Sequence, residues 1–331
     1  MIRGGAIGDF ILTLPVLSAL RRQLPKTRLE LLGYSRIAEL ALAGGLADEV
    51  RSIEARPLAG FFARDGNLDE ALQEYFASFA IIISYLYDPD GIFQSNVGRY
   101  SKAQFIAGPH RPNEQAGLHA TDVFLRPLER LAIFDADPVP RLHVRQASHL
   151  SPKAQKLAKE DRRDACPTLA VHPGSGSERK NWPEAKWAEF LQELIRSTSM
   201  QLLLVGGEAE ESRLSRLSRA LPSSRILLAA NLPLVEVAER LSACTGFVGH
   251  DSGITHLAAA IGLPLLVLWA DSAEAVWRPQ AEKLTLLKNQ KGLHEISVAR
   301  VLEEVAPMLA TSTPPCSRSG SRSWRGFARL L

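Results

Sequence analysis

The chain has 331 residues, 46% of them hydrophobic and 23% charged, and this length predicts about two globular domains, since single cores stop growing near ~250 residues. Its net charge of +3 comes from the last 21 residues, which hold four arginines and no acid, so the rest is nearly neutral and is not a nucleic-acid-binding surface. The cysteines are scattered along the sequence, which argues against a disulfide framework. The sequence has no apolar run of ~18 residues, which argues against a membrane span. Together with the lack of a signal-peptide pattern, these features favour a cytoplasmic protein.

The chain opens with MIRGGAIGDF, whose glycines already mark the end of a strand. The first strand of a parallel sheet normally has about five or six residues and lies in the middle of the sheet. A start codon placed too late would explain the missing residues.

Strand-length apolar runs recur along the chain, at 28–33, 79–87, 103–108, 168–172, 201–207, 246–250 and 264–269. Helix-period segments lie between many of them, including 9–24 and 184–198. In the latter, Trp187, Phe190, Leu191 and Leu194 share one face. Continuously apolar strands are typical of sheets covered on both faces, so the pattern predicts parallel βαβ units.

This alternation pauses around 135–165 and then restarts. It therefore predicts two Rossmann-like domains, 1–150 and 151–310, with a ligand in the cleft between them. The segment 311–331 is rich in Ser, Pro and Arg, and its composition predicts a disordered basic tail.

The first glycine-rich turn, GGAIGDF, places Asp9 in the first turn of a helix. A carboxylate there is stabilised by the helix dipole, so a plain capping role is one interpretation. The other interpretation is a general base that faces the cleft. The motif is not GxGxxG, and this disfavours a dinucleotide-binding dehydrogenase.

The segment VHPGSGSERKNWPEAKW, at 171–187, passes from a strand through a small-residue loop to a helix. Gly174, Ser175 and Ser177 would expose amides and hydroxyls, and Lys180 could meet a phosphate as a point charge. An ordinary flexible loop with a solvated lysine is the alternative. His172, at the strand end, is interpreted as a packed histidine.

A similar turn follows at Gly206 and Gly207, where glutamates open the next helix. Acids at a helix N-terminus are commonly dipole partners only. Alternatively one of them, with Glu208 as the candidate, accepts hydrogen bonds from ribose hydroxyls.

In GHDSGITH, a cluster of polar residues lies between the end of an apolar strand and the start of a helix. Backbone amides at such a helix start, with the hydroxyls of Ser252 and Thr255, form a cradle for a diphosphate that needs no metal. Asp251 would brace the loop or hold a ligand hydroxyl. The predicted donor-binding residues at this helix start are Asp251, Ser252, Gly253, Thr255 and His256.

Two Asp-x-Asp pairs, Asp88 with Asp90 and Asp135 with Asp137, have the spacing used by metal-dependent sugar transferases. Each lies beside prolines, and an isolated pair of acids is a weak signal. Both are interpreted as turns, and no metal is expected.

Four segments together resemble glycosyltransferase family 9, the ADP-heptose:lipopolysaccharide heptosyltransferases: GAIGDFILTLPVLSALRRQLP, HPGSGSERKNWPEAKWAEF, LVGGEAE and HDSGITHLAAAIGLPLLVLW. The resemblance runs in order from about residue 1 to 310. It implies a GT-B fold of two Rossmann-like parallel-sheet domains facing across a cleft, with the acceptor on the N-terminal domain and an ADP-sugar on the C-terminal one. It also implies that Asp9 is the catalytic base and that Lys180 lies at the donor phosphates.

The implied function is an inverting, metal-independent transfer of a heptose or related sugar to a lipopolysaccharide-core or similar glycan. The implied partners are a nucleotide sugar and that glycan, without nucleic acid, and the acceptor would bring the enzyme to the cytoplasmic face of the inner membrane. Two alternatives stay open: another sugar-nucleotide enzyme of this fold, such as an epimerase, and a degenerate donor-binding protein without turnover. The first would need no acceptor, and the second would bind an ADP-sugar without turning it over.

Overall fold

The computed structural model describes residues 1–144 and 167–310, which form two units with a separate parallel sheet in each. The first unit comprises Met1–His143 and Ala273–Arg278, and the second comprises the other described residues. The predicted domain boundary at 150 and the predicted tail 311–331 lie outside the described residues.

The sheet of the first unit has the strand order β3-β2-β1-β4-β5, with β1 in the centre. Although β1 has two residues, Ile2 pairs with Leu32 on one side and with Ser84 on the other. The predicted central position and shortness of this strand are therefore confirmed. The strands are β1 Ile2–Arg3, β2 Glu30–Gly33, β3 Glu49–Ser52, β4 Ile81–Ser84 and β5 Gln104–Ala107.

The α-helices between residues 1 and 144 cover this sheet with apolar faces. They are α1 Ile7–Ile11, α2 Leu14–Gln23, α3 Ser35–Ala43, α4 Glu70–Ala77, α5 Ile92–Gly98 and α6 Ala120–Leu125. The single helix predicted over 9–24 is wrong, because the chain breaks it between α1 and α2. Pro15 has no amide hydrogen for the Ile11 carbonyl, and Thr13 Oγ1 donates to the carbonyl of Asp9 at 2.7 Å.

The second unit has a six-stranded parallel sheet in the order β11-β10-β9-β6-β7-β8. Its central strands β9 and β10 are buried at every position, as expected for strands covered on both faces. The strands are β6 Thr168–His172, β7 Gln201–Gly206, β8 Ile226–Ala230, β9 Gly246–His250, β10 Leu265–Leu268 and β11 Leu284–Leu287.

The remaining helices are α7 Glu184–Ser197, α8 Glu211–Arg219, α9 Leu234–Ser242, α10 Gly253–Ile261, α11 Glu274–Trp277 and α12 Val298–Ala310. The helix predicted at 184–198 is confirmed by α7, whose four predicted face residues all lie in the core of the second unit. Helix α11 belongs to the first unit, where Trp277 Nε1 donates to Glu114 Oε1 at 3.0 Å. In the described parts of the chain, no helix combines the length and the apolar composition needed to cross a bilayer.

Candidate functional site

Three polar side chains of the second unit meet at the carboxyl ends of adjacent strands, and we call them the Lys180 cluster: Lys180, Asp251 and Ser272. They follow β6, β9 and β10, which neighbour one another in the sheet. Lys180 Nζ donates to Asp251 Oδ2 at 3.0 Å and to Ser272 Oγ at 2.7 Å, and Ser272 Oγ donates to the same carboxylate. The lysine side chain is 29% exposed and the aspartate 11%. Because an ammonium has three hydrogens, one remains for a ligand.

Helix α10 begins directly after this cluster and presents backbone amides at its N-terminus. Ser252 is its N-cap, and the Ser252 hydroxyl accepts from the Thr255 amide at 3.3 Å. The amides of Gly253 and Ile254 have no intrahelical acceptor, and no other described residue accepts from them. These two half-exposed donors, together with the helix dipole, form a site suited to an anion.

Two predicted donor residues of α10 are buried beneath this surface. The Thr255 hydroxyl is fully buried and donates to the His250 carbonyl. His256 is also buried, at 5% exposure. Thr255 and His256 therefore pack beneath the start of α10, while Ser252, Gly253 and Ile254 form its accessible side.

The first residues of the loop after β6 have a restricted conformation. Gly174 is buried against Glu210, and a Cβ at this position would lie 2.2 Å from Glu210 Cγ, so the loop needs a glycine here. Ser175 Oγ lies 2.9 Å from the Ser177 carbonyl and 2.8 Å from Asn181 Oδ1, so its one hydrogen can be donated to either acceptor within the same loop. Ser177 is exposed.

The three glutamates after β7 differ in their surroundings. Glu210 Oε2 accepts from the Gly207 amide at 3.0 Å, and Glu211 Oε2 accepts from Asn231 Nδ2 at 3.0 Å. Glu208 is exposed, and no other described side chain pairs with its carboxylate. Glu208 is therefore the glutamate with a carboxylate available to a ligand.

Two buried histidines hold the strand ends together. His172 Nδ1 donates to the Val205 carbonyl at 2.8 Å, in agreement with its interpretation as a packed residue. His250 Nε2 accepts from the Trp182 amide at 2.8 Å, and its Nδ1 donates to the Gly174 carbonyl at 3.2 Å. His250 thus ties the end of β9 to the loop of Lys180, and it does so in its neutral form.

Burial lowers the pKa of His250 from 6.5 to about 3, and burial also lowers the pKa of His172. Because the unfolded chain binds protons that the folded chain does not, the free energy of unfolding should fall as pH drops below 6.5 towards 3. The slope is about 1.4 kcal/mol per pH unit for each such histidine. Urea unfolding at a series of pH values measures it. His250→Gln should flatten this slope, whereas His294→Gln, at an exposed histidine, should not, and a flat profile in the wild type would contradict the expectation.

Asp9 belongs to the first unit and lies in α1, at the carboxyl end of β1. Its Oδ2 accepts from the Ala6 amide at 3.3 Å, and its Oδ1 lies 3.9 Å from a guanidinium nitrogen of Arg3. The side chain is 28% exposed. Asp9 lines a cavity of about 450 Å³ whose other lining residues include Tyr34, Tyr87 and Arg111. It therefore caps the helix and also faces open space.

The Asp88-Pro-Asp90 segment contains the predicted turn, whereas Asp135 and Asp137 lie in an irregular segment without a backbone turn. The Asp88 carboxylate accepts from the amides of Phe93 at 3.1 Å and Gln94 at 3.0 Å, and so caps α5. Asp137 accepts from the Val139 amide at 3.0 Å and pairs with Arg141. In residues 1–144 and 167–310, no three His, Cys, Asp or Glu side chains form a group that could hold a metal ion.

The structure thus brings Lys180, Asp251 and Ser252 together with the start of α10 at the carboxyl ends of the strands in the second unit. Asp9 lies in the other unit. The sequence prediction missed Ser272, although its position just after the β10 run was a usable signal. It also missed Arg3, a charged residue in a short central strand.

The fold and this site define a two-domain α/β protein whose second sheet carries, at the carboxyl ends of its strands, a site suited to an anion. Two solved structures are similar over nearly their whole length. A glycosyl transferase family 9 protein of Veillonella parvula has a TM-score of 0.74 and 18% identity, covering 94% of this chain and 96% of that one. The ADP-heptose lps heptosyltransferase II of E. coli has a TM-score of 0.71 and 18% identity, covering 94% and 98%. These likenesses confirm the predicted GT-B fold.

Residues 134–305 match the family model for glycosyltransferase family 9 (heptosyltransferase), which is more than half of the 331 residues. The chain therefore belongs to glycosyltransferase family 9. The lipooligosaccharide heptosyltransferase 2 of Haemophilus influenzae is 27% identical over 199 residues, which cover 55% of this chain and 57% of that protein. The chain spans about half the length of the curated relatives it matches.

Proposed function

We propose that the protein is an inverting glycosyltransferase that moves a heptose or a related sugar from an ADP-sugar to a lipopolysaccharide-core or similar glycan. The observation that supports this most directly is the Lys180 cluster beside the open amides of Gly253 and Ile254. Family membership and the names of the similar heptosyltransferases support the choice of sugar and acceptor.

The donor would bind to the second unit through its diphosphate. A diphosphate accepts hydrogen bonds from the two amides at the start of α10 and from the third hydrogen of Lys180. Asp251 neutralises part of the lysine charge, so the helix N-terminus contributes an essential share of the positive field. As the bond to the sugar breaks, negative charge grows on the departing diphosphate, and these fixed donors stabilise it. The ribose would meet the exposed carboxylate of Glu208.

The acceptor would bind to the first unit, in the cavity beside Asp9. An acceptor hydroxyl must lose its proton as its oxygen attacks the anomeric carbon, and a carboxylate within hydrogen-bond reach can take it. Attack on the face opposite the departing diphosphate inverts the anomeric configuration. Exposed aromatic side chains of the cavity, Phe62 and Tyr87, offer apolar faces to a sugar ring.

The acceptor also sets where the protein would work. The similar proteins are named for lipopolysaccharide and lipooligosaccharide, which are glycolipids. We therefore propose that the protein meets the cytoplasmic face of the inner membrane through its acceptor.

A mass-spectrometric screen tests this function directly. Purified protein is incubated with a panel of sugar nucleotides, each with and without lipopolysaccharide-core acceptors. We expect a product heavier by one sugar and an equal amount of ADP, both only when the donor is an ADP-sugar and an acceptor is present. Conversion of the donor without an acceptor would instead identify an epimerase. Binding of the ADP-sugar without any product would identify a protein that has lost turnover.

Activity should persist in EDTA, because Lys180 and the amides at the start of α10 would supply the positive field that Mg²⁺ supplies in other transferases. Initial rates with and without the chelator should agree within about twofold if no metal takes part in the rate-limiting step. Loss of activity that is restored by Mg²⁺ or Mn²⁺ would contradict metal independence. In that case Asp88→Ala would show whether the Asp88-Pro-Asp90 turn rearranges to hold the ion.

A further inference from the structure

Arg3 is a buried cation in the middle of the first unit. It is the last residue of the central strand β1 and is 2% exposed. Arginine is almost never fully buried without a partner, because removing its charge from water costs several kcal/mol. Its burial lowers its own pKa, an effect that the neighbouring charge of Asp9 opposes. The contacts of Arg3 must therefore offset the free-energy cost of burying its charge.

The contacts of Arg3 converge on the segment that carries Asp9. The terminal guanidinium nitrogen Nη1 donates to the His110 carbonyl at 2.8 Å, and Nη2 donates to the backbone carbonyl of Asp9 at 3.1 Å. The guanidinium also lies 4.6 Å from the ring centre of Phe124, which supports a buried cation. Arg3 thus fixes the backbone of α1 relative to the loop after β5.

The carboxylate of Asp9 is the acidic group that faces this cation. The shortest distance from the guanidinium to Asp9 Oδ1 is 3.9 Å, which is close enough for strong attraction and too long for a hydrogen bond. Oδ2 already accepts from the Ala6 amide. Oδ1 is therefore held by charge, and no residue in 1–144 or 167–310 donates a hydrogen bond to it, so its lone pairs stay open to a proton from another molecule.

We propose that Arg3 is a positioning residue for Asp9: it holds the backbone of Asp9 by a hydrogen bond and its carboxylate by charge, while it leaves Oδ1 free to accept the proton of the acceptor hydroxyl. This inference rests on the proposed function, in which Asp9 is the base. It assigns to Arg3 no contact with substrate. Its effect on the reaction passes through Asp9 alone.

A double-mutant cycle separates this role from a general structural one, because residues that act as one unit have non-additive effects on turnover. Arg3→Met is made in the wild type and in Asp9→Asn, and sugar transfer and ADP affinity are measured for all four chains. In the wild type, we expect Arg3→Met to lower kcat about 10- to 100-fold, the effect of a misplaced catalytic group, with ADP affinity unchanged. In the Asp9→Asn chain, it should lower kcat less than about threefold.

Two further variants serve as controls for this cycle. Arg3→Lys keeps the charge and loses the planar fork, so it should recover part of the lost kcat. Arg22→Met, at an exposed arginine of the same unit, should leave kcat unchanged. If Arg3→Met does not fold, Arg3→Lys is carried through the same cycle in its place.

Equal losses of kcat in the wild-type and Asp9→Asn backgrounds, with a wild type that transfers sugar, would overturn the positioning role and leave the proposed function standing. Unchanged kcat in Arg3→Met would do the same. A folded wild type that transfers no sugar from any donor would overturn the proposed function, and this inference with it.

Discussion

Asp9→Asn should lower sugar-transfer turnover by roughly 10²- to 10⁴-fold, the usual contribution of a positioned base. Asparagine has nearly the size of aspartate, and its amide oxygen can still accept from the Ala6 amide, so folding should be normal. It cannot take up a proton at neutral pH. Because Asp9 lies in the first unit and the proposed diphosphate site lies in the second, ADP affinity measured by calorimetry should stay close to that of the wild type.

Asp69→Asn is the matched control for this change. Asp69 is the N-cap of α4, and its carboxylate accepts from the Leu72 amide at 3.1 Å, so it is a capping aspartate of the same unit without a proposed part in the reaction. Its turnover should equal that of the wild type. If Asp9→Asn also stays within a few-fold of the wild type, Asp9 is a helix cap and not the base.

Most of the strands that could be predicted from the sequence lie inside a sheet, although the predicted run at 103–108 matches the edge strand β5. The runs at 168–172 and 246–250 match β6 and β9, because most side chains in a strand covered on both faces are apolar or small. The three strands that the sequence prediction missed, β3, β8 and β11, all lie at sheet edges. In β3, an edge strand open to solvent on one side, the charged residues Glu49 and Arg51 interrupt the apolar run, whereas β8 and β11 contain no charged residue.

The helix starts of the site could be predicted for a similar local reason, since caps and glycine turns act over three or four residues. The partners of Lys180 could not be predicted from the sequence. Ser272 lies 92 residues away in the chain, and it reaches the lysine because β6, β9 and β10 are neighbours in the sheet. Strand order is decided by packing over the whole unit, so an isolated loop sequence does not contain it. The pairing of Lys180 with Asp251 was likewise not predicted.

This pairing sharpens the expected result for Lys180→Ala, which should weaken the binding of ADP and of the ADP-sugar alike. Loss of one charge-assisted hydrogen bond costs roughly 1.5–3 kcal/mol, or about one to two decades in affinity. The variant also leaves the Asp251 carboxylate without its cation, close to the amides that would hold the diphosphate. Repulsion between this carboxylate and the phosphates should add to the loss.

Calorimetry on Lys180→Ala, Asp251→Asn and their combination separates the two effects. If the unpaired carboxylate repels the diphosphate, Lys180→Ala with Asp251→Asn should bind ADP more tightly than Lys180→Ala alone, and still more weakly than the wild type. Lys186→Ala is the matched control, because Lys186 Nζ donates to the Ile296 carbonyl at 2.9 Å, away from the start of α10. ADP affinity that is equal in the wild type and in Lys180→Ala would remove the lysine from the donor site, and it would leave the amides of Gly253 and Ile254 as the remaining candidates for diphosphate binding.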